Sequence, residues 1–256
     1  MRFILALMCC LAGVAHATPV ATPPQKAYLS LIIDDLGQNL PQDRRVLALP
    51  GPVTAAIMPD TPHATEVARE AHRAGKIVIL HMPMAPATGP FAWHPELPIE
   101  ELEKRLNAAF KMVPYTAGIN NHMGSRMTAQ RPAMAWLMAD LQRRHKLFVD
   151  SRTSAQTVAA AEAQKIGLAS VSRDVFLDDE PTEAAIFTQL QTAIRMAREQ
   201  GSSVMIGHPY PQTLAVLERE LPKLKAQGIE WIDIKQMISV RGNRAMVAHG
   251  KDGIYR

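Results

Sequence analysis

The sequence predicts an α/β fold. Parallel strands alternate with helices and close into a (β/α) barrel, with an open doubly wound sheet as the alternative. Three observations predict it. Short apolar and β-branched runs recur along the chain, most of them followed by a longer stretch with helical spacing. The runs are apolar at successive positions rather than alternate ones, which suits strands buried on both faces. A length of 256 residues fits one such barrel better than two ordinary domains.

The first segment stands outside this rhythm. Arg2 precedes the apolar run Phe3–Val14, and Ala15-His16-Ala17 offers a small-residue cleavage site. Twelve apolar residues are too few to span ~30 Å of hydrocarbon. Residues 1–17 therefore read as a secretory signal peptide, which predicts a periplasmic mature protein carried through the inner membrane. Residues 18–27 form a Pro-rich linker, and 28–256 read as a single domain. No later apolar run reaches 18 residues, so no membrane span is expected in the mature chain. Both cysteines, Cys9 and Cys10, fall in the first segment. Any metal site must then be built from His, Asp, Glu or Asn.

Strand candidates follow at Tyr28–Ile33, Val53–Met58, Lys76–Leu80, Ala117–Asn120, Leu147–Val149, Leu168–Val171, Ser203–Ile206 and Glu230–Ile232. Helix candidates lie between them. Pro62–Ala74 carries Val67, Ala68 and Ala71 on one face, and Ile99–Met112 carries Leu102, Leu106 and Ala109. Arg131–His145 has Met134, Leu137, Met138 and Leu141 at the same spacing, and Thr153–Ile166 is alanine-rich. Glu183–Gln200 and Thr213–Gln227 complete the series. Gly75, Gly201 and Gly228 stand where helices should stop.

In parallel α/β folds chemistry collects at the C-terminal ends of strands. Here those ends carry Asp34-Asp35, His81, Asn120-Asn121-His122, Asp150 and His208. Two aspartates and three histidines thus meet on one predicted rim. Asp150 has a second reading, as the cap of the following helix. Carboxylates and imidazoles without thiols suit a divalent ion such as Zn²⁺, which acidifies bound water. A second carboxylate beside the ligands can take the proton, and a histidine across the pocket can protonate a leaving group.

Other classes lose support. No Gly-rich phosphate loop follows a strand. The net charge is +4 with no basic run, and aromatic residues are 5% of the chain, so nucleic acid is not an expected partner. A mildly basic surface suits an anionic envelope polymer.

The ordered set IIDDLG, HMPM, NNHMGSR, VDSRTS and IGHPYPQT resembles the divergent polysaccharide deacetylase family, a remote branch of the NodB-homology carbohydrate esterases. The likeness runs from about Leu29 to Ile238. It implies a deformed (β/α) barrel of about seven parallel strands with a metal at its mouth, most readily zinc. By the family pattern Asp34 is the catalytic base, Asp35 a metal ligand and His208 the general acid. The family brings two metal histidines from one H-x-x-x-H loop. Here the third strand supplies only His81, and His122 is the candidate for the second place. The family's arginine–proline motif is missing, with Arg126 a loose substitute. Asn121, Asp150, Arg126 and Trp93 are the candidate substrate-binding residues. The implied activity is deacetylation of an N- or O-acetylated envelope polysaccharide such as a peptidoglycan-type glycan. A glycan-binding barrel without turnover is the alternative. A metal-dependent amidase or phosphoesterase ranks lower, since Arg152 and Arg173 are the only basic residues near a strand end that could clamp phosphate.

Overall fold

The computed structural model of the chain describes residues 26–251, with side chains through 242. The expected signal peptide and nearly all of the Pro-rich linker lie outside the described residues. Nine strands and eight α-helices follow in order: β1 (Ala27–Leu36), α1 (Leu40–Ala48), β2 (Val53–Ile57), α2 (Ala64–Arg73), β3 (Ile77–Met84), α3 (Ile99–Met112), β4 (Thr116–Met123), α4 (Arg131–Arg143), β5 (Leu147–Asp150), α5 (Ala159–Lys165), β6 (Ser170–Ser172), β7 (Val175–Phe176), α6 (Glu183–Gln200), β8 (Ser202–Gly207), α7 (Pro211–Glu220), β9 (Ile229–Trp231) and α8 (Ile234–Lys251).

The sheet runs β6-β5-β4-β3-β2-β1-β8-β7, with β9 added to β1, and its strand pairs are parallel. Strand alternation sorts the apolar side chains into two cores. Leu31, Ile33, Ala55, Ile57, Leu80 and Phe148 pack outward with helix residues such as Val67, Leu106, Leu137, Leu190 and Leu217. Ile32, Ala56, Ile79, Val149, Val171, Val204 and Ile206 form a second cluster that takes no residue from α1–α7 and is joined by Ile234 and Met237 of α8. The second cluster is the inside of a curled sheet, and the start of α8 packs against it.

The open edges are β6 and β7, which follow one another in the chain. The two residues between them lace the gap. Arg173 N donates to Asp150 O on one side and Asp174 N to Val204 O on the other, both at 2.9 Å. Arg241 of α8 binds the same seam, pairing with Asp174 and donating to Ser172 O (3.4 Å) and Ser202 Oγ (3.3 Å).

The sheet holds nine strands where about seven were expected, because β7 and β9 have only two and three residues. The helix expected over 153–166 shrinks to α5. The helix expected over 213–227 ends at Glu220 and continues as single 3₁₀ turns around Pro222, since proline has no N–H for the next bond of the helical ladder. The pattern did not reveal α1: it buries only Asp43 and Val46, too few positions to display a period.

Candidate metal centre

The inward face of each strand continues in steps of two until it turns polar at one end. After Ile32 comes Asp34, after Ile79 comes His81, after Val149 comes Ser151, after Val171 comes Arg173, and after Ile206 comes His208. Asn120 occupies the same level on β4, in register with His81 and Val149. The site is the top layer of the barrel interior.

Two adjacent aspartates would ordinarily face opposite sides of the sheet. A β-bulge prevents this. Ile33 pairs with Ala55 and Leu36 with Ile57, so β1 advances three residues while β2 advances two. Asp35 takes a left-handed φ of 59°, a conformation that costs a non-glycine residue free energy and tends to mark functional sites. The result is that Asp34 Oδ2 and Asp35 Oδ1 lie 3.6 and 3.3 Å from the same nitrogen, His81 Nε2. The turn that follows is held from behind. Gly37 donates its N–H to the buried carboxylate of Asp43 on α1 (3.0 Å), and at φ +106° a Cβ there would lie 2.2 Å from Thr61 Oγ1.

Three donor atoms converge at this point. His122 Nδ1 is 3.0 Å from Asp35 Oδ1 and 3.2 Å from His81 Nε2. Ligand atoms ~2.0–2.1 Å from one tetrahedral ion lie ~3.3 Å from one another, so the spacing is close to that of a zinc-type ligand set. Asp35 Oδ1 is buried and has no aligned hydrogen-bond donor, an orphan that a cation would satisfy. His81 is oriented for the task. Its Nδ1 faces Asn120 Oδ1 at 2.8 Å, which assigns the proton to Nδ1 and the lone pair to Nε2. Asn120 in turn donates to Asp34 Oδ1 (2.8 Å) and Ser151 Oγ (3.2 Å). The residues present therefore fit a divalent ion held by Asp35, His81 and His122.

The electrostatics point the same way. Burial alone would push the His81 imidazolium down, but the charge of Asp34 and then the close carboxylate of Asp35 overcome it and raise the ring to about 9. Burial would raise Asp35, yet the close approach of the His122 and His81 rings holds it well below the usual carboxylate range. The pocket thus calls for a positive charge beside its two aspartates, and a metal ion can replace the proton in that role. Asp34 is raised, chiefly by burial, which suits a base.

His208 completes the far wall. Its Nδ1 meets Asp178 Oδ1 at 2.9 Å, while Asp178 Oδ2 accepts from His208 N (2.6 Å) and Thr213 Oγ1 (2.7 Å). Nε2 is thereby turned inward, 3.8 Å from Asp35 Oδ2. Burial would lower the ring's pKa, but Asp178 and Asp34 overcome it and raise it, so an acid is poised there.

The structure brings Asp34, Asp35, His81, His122 and His208 together. Of the expected substrate contacts it brings only Asn121 to the same cavity. Trp93 is fully buried in the outer core beside Trp136, with its backbone bonded to Pro83 and Ala85, so it faces no pocket. Arg126 is exposed and pairs with Glu96 at 2.6 Å. Asp150 is fully buried and caps the next segment, accepting from Arg152 N, Thr157 Oγ1 and Ala160 N. Asn121 reaches the cavity wall, but its amide is spent on Ser151 N and Met123 O. Sequence reasoning placed Asn120 on the rim without giving it a role, and missed Asp178. The two-residue step from Ile79 to His81 and its neighbours could have shown that Asn120 faces inward beside His81. Asp178 follows a strand too short to see.

The site opens into a cavity of about 360 Å³. The family model for divergent polysaccharide deacetylases matches residues 31–238. An uncharacterized protein of Escherichia coli K12, YibQ, is 41% identical over 204 residues, which cover 78% of this chain and 64% of that protein's length. The structure of the uncharacterized protein ATU2773 of Agrobacterium tumefaciens superposes with a TM-score of 0.78 at 24% identity, over 84% of this chain and 91% of that one. BA3943 of Bacillus anthracis, a carbohydrate esterase family 4 pseudoenzyme studied as a mutant with restored activity, superposes at 0.55 and 17% identity, covering 84% and 68%. Both superpositions bear on the fold, a curled parallel barrel.

Proposed function

The chain belongs to the divergent polysaccharide deacetylase family, and we propose that it is a metal-dependent hydrolase that removes acetyl groups from an envelope polysaccharide. The observation that carries this reading is the convergence of Asp35, His81 and His122 on one point, with Asp34 beside them and His208 across the pocket. A divalent ion held by those three residues, zinc by the chemistry of the donor set, would polarise the acyl carbonyl and acidify water.

The chain's own groups supply the proton transfers. Asp34, fixed by Asn120, accepts a proton from the attacking water. His208, with its Nδ1 fixed by Asp178, donates from Nε2 to the departing nitrogen or oxygen. Each needs the other: a base that is ionised and an acid that is protonated at the same pH. The periplasmic placement rests on the layout of residues 1–17, and amino-terminal sequencing of the exported protein should find it beginning just after Ala17.

The test is metal analysis alongside acetate release from an N-acetylated glycan. Wild type should hold about one zinc per chain and release acetate. His81→Ala/His122→Ala should lose both properties. Asp34→Asn and His208→Ala should keep the metal and lose at least about a hundredfold in turnover. A metal-free wild type that releases no acetate would refute the proposal.

A further inference from the structure

Between His122 on β4 and His208 on β8, the arc of the mouth is furnished by β5, β6 and β7, and it carries two arginines. Arg173 is half-buried. Its Nε donates to Ser151 O (2.6 Å) and its Nη2 to Arg152 O (2.9 Å), and its guanidinium lies 5.0 Å from the centre of the Phe176 ring. Burial, and then the neighbouring Arg152, lower its pKa, against the attraction of Asp34. Arg152 is different. It is exposed on the cavity wall, and its guanidinium makes no ion pair or hydrogen bond with any described residue. Its backbone adopts a left-handed φ of 48°, held by the N–H bond to Asp150 Oδ1. Arg173 thus grips the carbonyls on either side of a strained residue whose charged end stands free in the pocket.

The rest of the cavity explains what such a charge is for. Neutral sugars are commonly held by exposed aromatic faces, but the ring lining this cavity, Phe176, is already covered by Arg173. About 360 Å³ is at the small end for a ligand pocket, room for one sugar unit rather than a length of chain. Asp179 stands on the same wall and limits the charge surplus, which favours a single negative charge over a double one. A guanidinium fork matches a carboxylate in two parallel hydrogen bonds.

We propose that the pocket selects an acylated sugar bearing a carboxylate, which Arg152 binds while Arg173 holds it in place. This names the substrate class for the deacetylase reading and rests on it, but binding can be measured apart from turnover.

The mature protein, with and without added zinc, is titrated with N-acetylmuramic acid, its methyl ester, N-acetylglucosamine and N-acetylglucosamine 6-phosphate, by calorimetry and ligand-observed NMR. The acid should bind at least about tenfold tighter than its ester, and the preference should shrink with added salt. Arg152→Asn removes the charge with a residue that tolerates the left-handed backbone, and should bring acid and ester to equal affinity. Arg152→Lys should keep part of the preference. Equal affinity in wild type, an unchanged preference in Arg152→Asn, or no binding of any probe up to about 10 mM would overturn the proposal. So would a preference shown by the phosphate sugar alone. Acetate is followed in the same samples. A charge preference without acetate release would remove the deacetylase reading and leave this one standing, and acetate release without charge preference would do the reverse.

Discussion

Asn120 is the residue on which the centre turns. It accepts from His81, donates to Asp34 and reaches Ser151, all while fully buried. One amide thereby sets the tautomer of His81 and the direction of Asp34. Removing such an orienting partner typically weakens metal affinity by about 10–100-fold. Asn120→Ala should show this in a zinc competition titration, with a fold that melts within a few degrees of wild type. Unchanged zinc affinity would mean that His81 needs no such support. The donor set itself was legible from strand ends. The supporting residues were not, because an asparagine at a strand end looks like a turn residue until its neighbours are known.

At the scale of elements, β1 and α1 act as a pair. The bulge aims both aspartates inward, and α1 holds the following turn through Asp43. That carboxylate is buried, its Oδ1 lacks a partner, and burial raises it to about 6 from its ordinary 3.8. The sign follows from linkage. A raised folded-state value means that the group favours folding fully below its unfolded pKa, and that this contribution is lost as pH rises through about 6. Asp43→Asn keeps an acceptor for Gly37 and removes the buried charge. Relative to wild type it should gain about 1–2 kcal/mol between pH 4.5 and 7.5, read from denaturant melts at the two values. A constant difference across that range would show that folding does not raise the pKa of Asp43. None of this was visible in the sequence, where α1 is too short to show a period and a bulge leaves no compositional trace. The long periodic helices α3, α4 and α6 were legible because each buries three or more apolar positions at regular spacing.

Over the whole molecule, the alternation of apolar side chains decides the architecture. Strands apolar on both faces demand helices outside and one another inside, and both cores are present. The substrate contacts were harder to foresee. Trp93 stood among the candidate substrate contacts, yet its backbone bonds at the end of β3 carry it into the outer core. Distance along the chain does not reveal which layer a loop side chain enters.

The seam between β6 and β7 has a further consequence, for motion and for the order of assembly. Edge strands of three and two residues hold few ladder bonds, and the two residues joining them close the cylinder. Closure needs β5, β8 and α8 already in place, so it belongs late in folding. The same region should be the first to open in the native state. Amide exchange followed by NMR should find Arg173 and Asp174 less protected than Leu31 and Ile33 of β1, and equal protection would place the weak point elsewhere. Arg173 sits in that seam and grips Arg152. A transient breath of the wall would therefore loosen the arginine side of the pocket while leaving the three candidate metal ligands, on β1, β3 and β4, undisturbed. The molecule would have a rigid half that carries the three converging donor atoms and a yielding half that carries the arginines.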